Sequence, residues 1–231
     1  MKVPKLAVVL SCEHGGNVIP EQYASLFKEA ADVINSHRGY DIGALELYNC
    51  FKNKQVVFNQ CATVSRLVVD VNRSLYRKSL FSEFTKALPA SEKESILNGI
   101  YYAFRNSFKQ EIYKLWEQNR TVLHLSVHSF KPELNGVIRQ TDFGILYHPG
   151  RMQEKQFAKV WKSEIEKVLP GFRTRFNYPF QGKPDGHVRF FRDKESEKYL
   201  GLEFEMNQKY AGQTNIYKVL TVAFENTLNQ F

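Results

Sequence analysis

Residues 6–17 read Leu-Ala-Val-Val-Leu-Ser-Cys-Glu-His-Gly-Gly-Asn. The five consecutive apolar residues Leu6–Leu10 predict a buried strand, and the polar residues and glycines after them predict a turn at its carboxyl end. His14 lies in that turn. The two glycines after His14 allow the backbone to reverse and bring a ligand close to the imidazole. The segment therefore predicts a core strand with a candidate site at its end.

Further short apolar runs along the chain are rich in β-branched or aromatic residues, as strands are, and longer segments between them have the apolar periodicity of helices. Strands that alternate with helices predict a mostly parallel sheet covered on both faces, which is a three-layer αβα sandwich. No linker or repeat divides residues 1–231, so we expect a single domain. The predicted strands are Val56–Phe58, Leu67–Val71, Val122–Val127, Phe143–Tyr147 and Leu200–Phe204, and the predicted helices are Pro20–Ile34, Ile42–Phe51, Ser91–Trp116, Gln153–Val168 and Asn215–Leu228.

The composition narrows the class of protein. Hydrophobic residues make up 43% and charged residues 24% of the chain, which excludes the disordered, collagen-like and coiled-coil classes. Three cysteines without a Cys-x-x-Cys pair argue against a disulfide framework or a thiolate zinc site. The net charge of +8 favours anionic ligands, but the dispersed Lys and Arg disfavour nucleic acid. The first apolar run is too short for a signal peptide and none is long enough for a membrane span, so we expect a soluble, cytoplasmic protein.

Two histidines follow predicted strands, at the edge of an open α/β sheet where ligands bind. His14 follows the first strand and His128 follows Val122–Val127. Two imidazoles and one carboxylate would form a catalytic zinc site with an open coordination position. The candidate carboxylates are Glu13, next to His14, and Asp41, which could equally cap the following helix. The spacing leaves this choice open.

Other polar residues also lie on or after predicted strands. On the Leu67–Val71 strand, alternation places Arg66, Asp70 and Asn72 on one face and Arg73 on the other, unless the chain turns at Asn72. An arginine there could form a surface salt bridge, or bind a carboxylate or a developing oxyanion. Near the end of the chain, the carboxylates of Glu203 and Glu205 lie on one face of a predicted core strand. Each needs a partner or a function there, because burial of an isolated carboxylate is costly.

Taken together, these segments resemble the N-formylglutamate amidohydrolase family. They occur in the family's order, from about Leu6 to beyond Tyr210, and the most specific is the series of Arg, Asp and Asn-Arg from Arg66 to Arg73. The matching segments are Cys12–Pro20, Asp41–Ala44, Ser65–Ser74, Val127–Ser129 and Glu203–Gln208. The segment Asn177–His187 is similar to the family's substrate-side loop.

The resemblance implies a fold of the phosphorylase/hydrolase-like, zinc carboxypeptidase-like kind and one zinc ion held by His14, Asp41 and His128. Aspartoacylase-like relatives have a metal-binding glutamate three residues after the first histidine. Asn17 occupies that position here, so the resemblance implies a second ligand from elsewhere, and we assign Asp41.

The resemblance also implies roles for the remaining candidates. Arg66 resembles the arginine that polarises the scissile carbonyl in aspartoacylase-like relatives. Asn72 and Arg73 match the Asn-Arg pair that holds the substrate carboxylate, and Glu205 resembles the general base.

The predicted function is therefore zinc-dependent hydrolysis of the N-acyl amide, in particular the N-formyl amide, of a small acidic amino acid such as N-formyl-L-glutamate. Two alternatives remain at this stage. One is another metallo-amidase of the same fold, such as a peptidase or a cell-wall amidase, because family membership does not determine the substrate. The other is a non-catalytic protein that binds anions or nucleic acid on this fold.

Overall fold

Four of the five residues of the run Leu6–Leu10 lie in the second strand of a six-stranded sheet, between the edge strand and the strand that carries His128. The computed structural model describes residues 6–193 and 197–231. The strand order in the sheet is β2-β1-β3-β8-β6-β7, and β4 and β5 form a separate hairpin. The strands are β1 (Ala7–Cys12), β2 (Val56–Cys61), β3 (Val122–Phe130), β4 (Glu133–Leu134), β5 (Val137–Ile138), β6 (Phe143–Leu146), β7 (Thr174–Phe176) and β8 (Tyr199–Asn207).

Four neighbouring strands run in the same direction. β1 is parallel to both β2 and β3, and β3 is parallel to β8. β6 is antiparallel to β8, and β7 is parallel to β6. The carboxyl ends of β1, β3 and β8 therefore meet at one edge of the sheet. In the register between β3 and β8, His128 lies directly beside Glu205.

Helices cover both faces of the sheet. Alternate residues of β1 pack on opposite faces: Val8 belongs to the apolar core beneath α2, α5 and α7, and Val9 belongs to the core beneath α4 and α6. This confirms the predicted three-layer αβα sandwich with a mostly parallel sheet. The α-helices are α1 (Ala31–Ile34), α2 (Ala44–Phe51), α3 (Ala90–Ile96), α4 (Ala103–Glu117), α5 (Met152–Val168), α6 (His187–Arg192) and α7 (Thr214–Leu228). A π-helical segment, Leu97–Tyr102, joins α3 to α4.

The prediction of a strand at Leu67–Val71 is wrong. The segment is buried, but its backbone forms turns: Val68 N–H donates to Ser65 O at 2.9 Å and Arg73 N–H donates to Asp70 O at 3.0 Å. Its apolar side chains belong to a second core beside the sheet. The apolar run correctly indicated that this segment is buried, but it did not indicate the conformation of the backbone.

Other elements also differ from the sequence prediction. The predicted helix Ser91–Trp116 is interrupted by the π-helical segment, and α6 was not predicted. Pro20–Ile34 is not one helix but a 3₁₀ helix, Glu21–Phe27, followed by the single turn of α1. The β4–β5 hairpin was not predicted, although its turn is Asn135-Gly136 with φ of 52° and 76°, and Asn-Gly between apolar residues is a strong hairpin signal. The three-residue strand β7 is too short to give a pattern. Among the described residues, the helices are all too short or too polar to cross a membrane.

Candidate active site

A cavity of about 590 Å³ opens at the carboxyl edge of β1, β3 and β8. It is lined by every residue to which the sequence analysis assigned a role, but not by the alternative ligand Glu13. These residues are His14, Asp41, Arg66, Asn72, Arg73, His128 and Glu205, and the alternative carboxylate Glu203 lines it too. Their chemical roles remain predictions, but their side chains share one cavity although they are separated by up to 191 positions along the chain.

His14, Asp41 and His128 form a buried cluster at the base of the cavity. Asp41 Oδ2 lies 2.8 Å from His128 Nδ1 and 3.5 Å from His14 Nδ1. One ligand atom from each residue lies within 4.8 Å of the others. His14 Nδ1 is buried and has no hydrogen-bond partner among the described residues. The three side chains thus bring their potential ligand atoms close enough together to hold one metal ion.

The backbone and a neighbouring arginine position Asp41. Its N–H donates to His14 O at 2.9 Å, and its Oδ1 accepts a hydrogen bond from Arg66. It does not cap α2, because the residue before that helix is Gly43, with φ of 81° and no side-chain cap. Burial raises the pKa of Asp41, but Arg66, His14 and His128 together outweigh burial and hold the pKa well below its usual range. Asp41 is therefore a carboxylate.

A second carboxylate lies behind each histidine. His14 Nε2 lies 2.7 Å from Asp70 Oδ1, and His128 Nε2 lies 3.2 Å from Glu13 Oε2. Hydrogen bonds of this kind fix the tautomer and the orientation of a metal-binding imidazole. Both rings therefore present Nδ1 to the cluster. Glu13, the alternative ligand, is on the far side of the His128 ring, whereas Asp41 is beside both Nδ1 atoms.

Glu13 is the centre of a buried polar network that the sequence analysis did not find. Its carboxylate accepts hydrogen bonds from Ser11 Oγ at 2.5 Å and Ser126 Oγ at 2.6 Å, and lies 2.9 Å from His187 Nδ1. Burial raises its pKa, but His128 and His187 outweigh burial and hold the pKa well below its usual range. One signal was present, because Ser126 alternates with His128 on β3. His187 gave no such signal, since it enters from α6.

Glu205 and Glu203 lie on β8 and line the same cavity. Glu205 is buried, and its Oε2 has no hydrogen-bond partner among the described residues. Burial raises its pKa to about 8, and the Asp41 charge contributes to the rise. Burial also raises the pKa of Glu203, but Glu203 pairs with Ser126 in the register, one step further from the cluster. Glu205 is thus the carboxyl group nearer the cluster and the more suitable proton carrier.

Two arginines and an asparagine form the wall near His14. The Arg66 guanidinium binds Asp41, and its Nε is buried without a partner among the described residues. Arg73 Nε lies 3.5 Å from Asp70 Oδ2, and the side chain is half-exposed in the cavity. Asn72 Oδ1 accepts a hydrogen bond from the His187 N–H at 2.7 Å. The turns at 66–73 therefore bring Arg73 to the cavity, as the sequence analysis allowed if the chain turned at Asn72.

A family model described as N-formylglutamate amidohydrolase matches residues 6–211. The chain belongs to the N-formylglutamate amidohydrolase family. As a member of this family it is a hydrolase that acts on amide bonds. The match includes every residue of the cluster and the cavity wall discussed above.

Solved structures support the fold of this family member. The gene product Atu2144 from Agrobacterium tumefaciens superposes with a TM-score of 0.80 at 23% identity, over 98% of this chain and 90% of the other. The N-formylglutamate amidohydrolase from Ralstonia eutropha JMP134 superposes with a TM-score of 0.70 at 15% identity, over 99% and 95% of the two chains. A comparison with curated proteins found no match.

Proposed function

We propose that this protein is a zinc-dependent amidohydrolase that cleaves the N-acyl amide of an acidic amino acid, such as N-formyl-L-glutamate. The observation that carries the proposal is the cluster of His14, Asp41 and His128 beside Glu205, whose Oε2 has no hydrogen-bond partner in the part of the chain that the structure describes. Family membership supports the amide bond as the bond that is cleaved. The substrate and the metal are inferred from the residues of the cavity.

The cluster suits a zinc ion. Zinc in catalytic sites takes three protein ligands from histidine and carboxylate side chains and keeps one position open. The unpartnered, buried Nδ1 of His14 and the carboxylates behind both imidazoles fit such an ion. When bound, zinc would supply Lewis-acid polarisation of the scissile carbonyl and would make water more acidic.

The residues around the cluster would perform the proton transfers. A water molecule attacks the amide carbonyl carbon, and Glu205, after releasing its own proton, accepts as a carboxylate the proton that this water loses. The same carboxyl group then donates that proton to the leaving nitrogen as the carbon–nitrogen bond breaks, which gives the free acid and the amino acid. The unpartnered Nε–H of Arg66 is a suitable donor to the oxygen that becomes negative in the transition state.

Arg73 and Asn72 would bind the substrate carboxylate. A guanidinium offers a planar pair of donors that matches a carboxylate, whereas a lysine offers a point charge. Arg73→Ala should therefore lower kcat/KM on N-formylglutamate by about one to two orders of magnitude, and Arg73→Lys should also lower it. The rate on an uncharged N-formyl amide should change much less. An equal loss on both substrates would assign Arg73 to folding.

The decisive experiment combines metal analysis with a substrate panel. Protein made without a polyhistidine tag should contain about one zinc per chain and should hydrolyse N-acyl derivatives of glutamate or aspartate faster than those of neutral amino acids. His14→Ala, His128→Ala and Asp41→Ala should each reduce the zinc content. Undiminished zinc in all three variants would show that the metal binds elsewhere. Turnover of peptide amides without any turnover of N-acyl amino acids would identify a different metallo-amidase.

A further inference from the structure

The cavity has an apolar wall that a formyl group would not use. Phe130, Leu134 and Phe180 line it. Leu134 and Phe180 are 37% and 47% exposed, whereas Phe130 is buried at 2%. Leu134 and Phe180 therefore face open space and not the protein core. Apolar groups exposed together in a cavity indicate contact with an apolar part of a ligand.

The β4–β5 hairpin forms one side of this wall. Leu134 pairs with Val137 across the hairpin, and directly paired residues share a face. Val137, which is 65% exposed, therefore lies on the same side as the cavity-lining Leu134. The positive φ angles of Asn135 and Gly136 match the type I′ turn, which joins two strands tightly and fixes their register.

The loop that carries Phe180 is anchored to the sheet. Asn177 Oδ1 accepts hydrogen bonds from Tyr147 N–H and Gly182 N–H, each at 3.0 Å. A Cβ atom on Gly182 would lie 2.3 Å from Tyr147 N, so the loop packs tightly against the end of β6. The Arg139 guanidinium lies 5.5 Å from the centre of the Phe180 ring and 5.7 Å from that of Phe130. These cation–π contacts join the hairpin to the loop, and the wall is thus already formed.

The order of the strands shows which half of a substrate would reach the wall. Arg73 is linked through Asp70 to His14, at the end of β1. The wall begins at Phe130, after His128, and continues to the loop beside β6. An N-acyl amino acid held at Arg73 by its carboxylate, with its amide carbon near Glu205, would extend its acyl group toward the wall.

We propose that this wall is an acyl subsite, and that the enzyme prefers N-acyl acidic amino acids whose acyl group is an apolar chain longer than formyl. The inference rests on the proposed function and names its substrate class. Leu134 and Phe180 are the residues that determine the preference for acyl length. Neither belongs to the cluster, so each can be tested separately from the metal ligands.

The test is kcat/KM on N-formyl-, N-acetyl-, N-butanoyl- and N-hexanoyl-L-glutamate with the zinc-loaded full chain. The value should rise by roughly two- to fourfold for each added methylene, since each is partly buried against the wall. Leu134→Ser and Phe180→Ser should each reduce this rise. The measured quantity is the ratio of kcat/KM on N-hexanoyl-L-glutamate to kcat/KM on N-formyl-L-glutamate within the same variant. Val57→Ser is the matched control, because Val57 is 44% exposed and lies on β2, outside the cavity lining.

Three results would overturn the proposed subsite. The first is a flat or falling series in the unmodified enzyme, which would leave the proposed function intact because N-formylglutamate would still be hydrolysed. The second is an unchanged slope in both serine variants. The third is a tenfold preference for N-succinyl over N-butanoyl glutamate, which have equal numbers of acyl carbons, because Arg139 would then be binding an anion. Hydrolysis of none of these amides would overturn the proposed function as well.

Discussion

Glu205 combines burial with an unpartnered carboxyl oxygen beside the histidine cluster. Glu205→Gln should retain the fold and zinc but lower kcat by about 10²–10⁴-fold, because an amide cannot accept a proton from the attacking water. The measurement is kcat on N-formylglutamate together with zinc content. Glu203→Gln is the control and should retain much more activity, because Glu203 lies two residues earlier on the same face of β8. If Glu203→Gln is the inactive variant and Glu205→Gln the active one, the two roles are exchanged.

Glu13 lies behind the metal ligand His128. Its Oε2 lies 3.2 Å from His128 Nε2 and accepts a hydrogen bond from Ser126 Oγ, which is hydrogen-bonded to the same His128 nitrogen at 2.9 Å. We therefore expect Glu13→Gln to lower zinc affinity by about 10–100-fold, as loss of the group behind a metal ligand does. Competition with a chromophoric chelator measures that affinity. Glu154→Gln is the matched control, since Glu154 is also a buried carboxylate in a network, with Arg192 and the Gly201 N–H, but is remote from the cluster.

A comparison of Glu13→Gln with Glu154→Gln separates an effect on the orientation of His128 from an effect on the stability of the fold. Both should lower the free energy of unfolding, because each weakens a buried network. Only Glu13→Gln should change zinc affinity at a pH where both proteins are folded. Equal affinity in the Glu13 and Glu154 variants would mean that Glu13 supports the fold and does not orient His128.

Among the elements, the turn after β1 depends most clearly on glycine. A Cβ atom on Gly16 would lie 2.3 Å from Thr63 O, and Thr63 O accepts the Val18 N–H at 3.0 Å. Gly16→Ala should therefore destabilise the protein by about 1–3 kcal/mol, measured by urea denaturation. Gly99→Ala is the control. Its Cβ would meet nothing within 4 Å in a helical segment, so that change should be neutral or stabilise by up to about 1 kcal/mol.

Apolar patterns predicted the sheet because its central strands are buried on both faces. β1 begins as a continuous apolar run for this reason, whereas in β3 and β8 apolar residues alternate with buried residues of other types that include His128 and Glu205. The same signal failed at Leu67–Val71, where an apolar run is buried in turns. A pattern of burial cannot distinguish these cases, because it contains no information about backbone hydrogen bonds.

The site was predictable where it follows the strands and unpredictable where loops supply it. His14 and His128 could be found because parallel strands bring their carboxyl ends together. The choice of Asp41 over Glu13 as the ligand depended on the family resemblance. The two carboxylates lie on opposite sides of the His128 ring, and this arrangement depends on the tertiary structure. No strand pattern indicated His187 or Arg139. His187 begins α6 and was included only in the segment that resembles the family's substrate-side loop, and Arg139 follows β5.

At the scale of the whole molecule, the buried charges of the site make stability depend on pH. Glu13, Asp41 and Asp70 have lowered pKa values in the folded protein, so their stabilisation is present above the unfolded pKa and is lost as the pH falls. Glu205 has the opposite effect. Burial raises its pKa from 4.5 to about 8, so folding favours its protonated form, and its contribution becomes less favourable as the pH rises through this range.

The difference between two proteins isolates the contribution of Glu205. In the presence of a chelator, the other carboxylates contribute nearly equally to the wild type and to Glu205→Gln, so their effects largely cancel. The variant cannot ionise at this position, and its stability relative to the wild type should increase between about pH 4.5 and 8. We expect a gain of at least about 1 kcal/mol, measured by urea denaturation across this range. Glu133→Gln removes an exposed carboxylate and controls for the change in net charge. A stability difference that stays constant with pH would mean that the Glu205 carboxyl group is as well solvated in the folded protein as in the unfolded chain, and its role as a buried proton carrier would then be wrong.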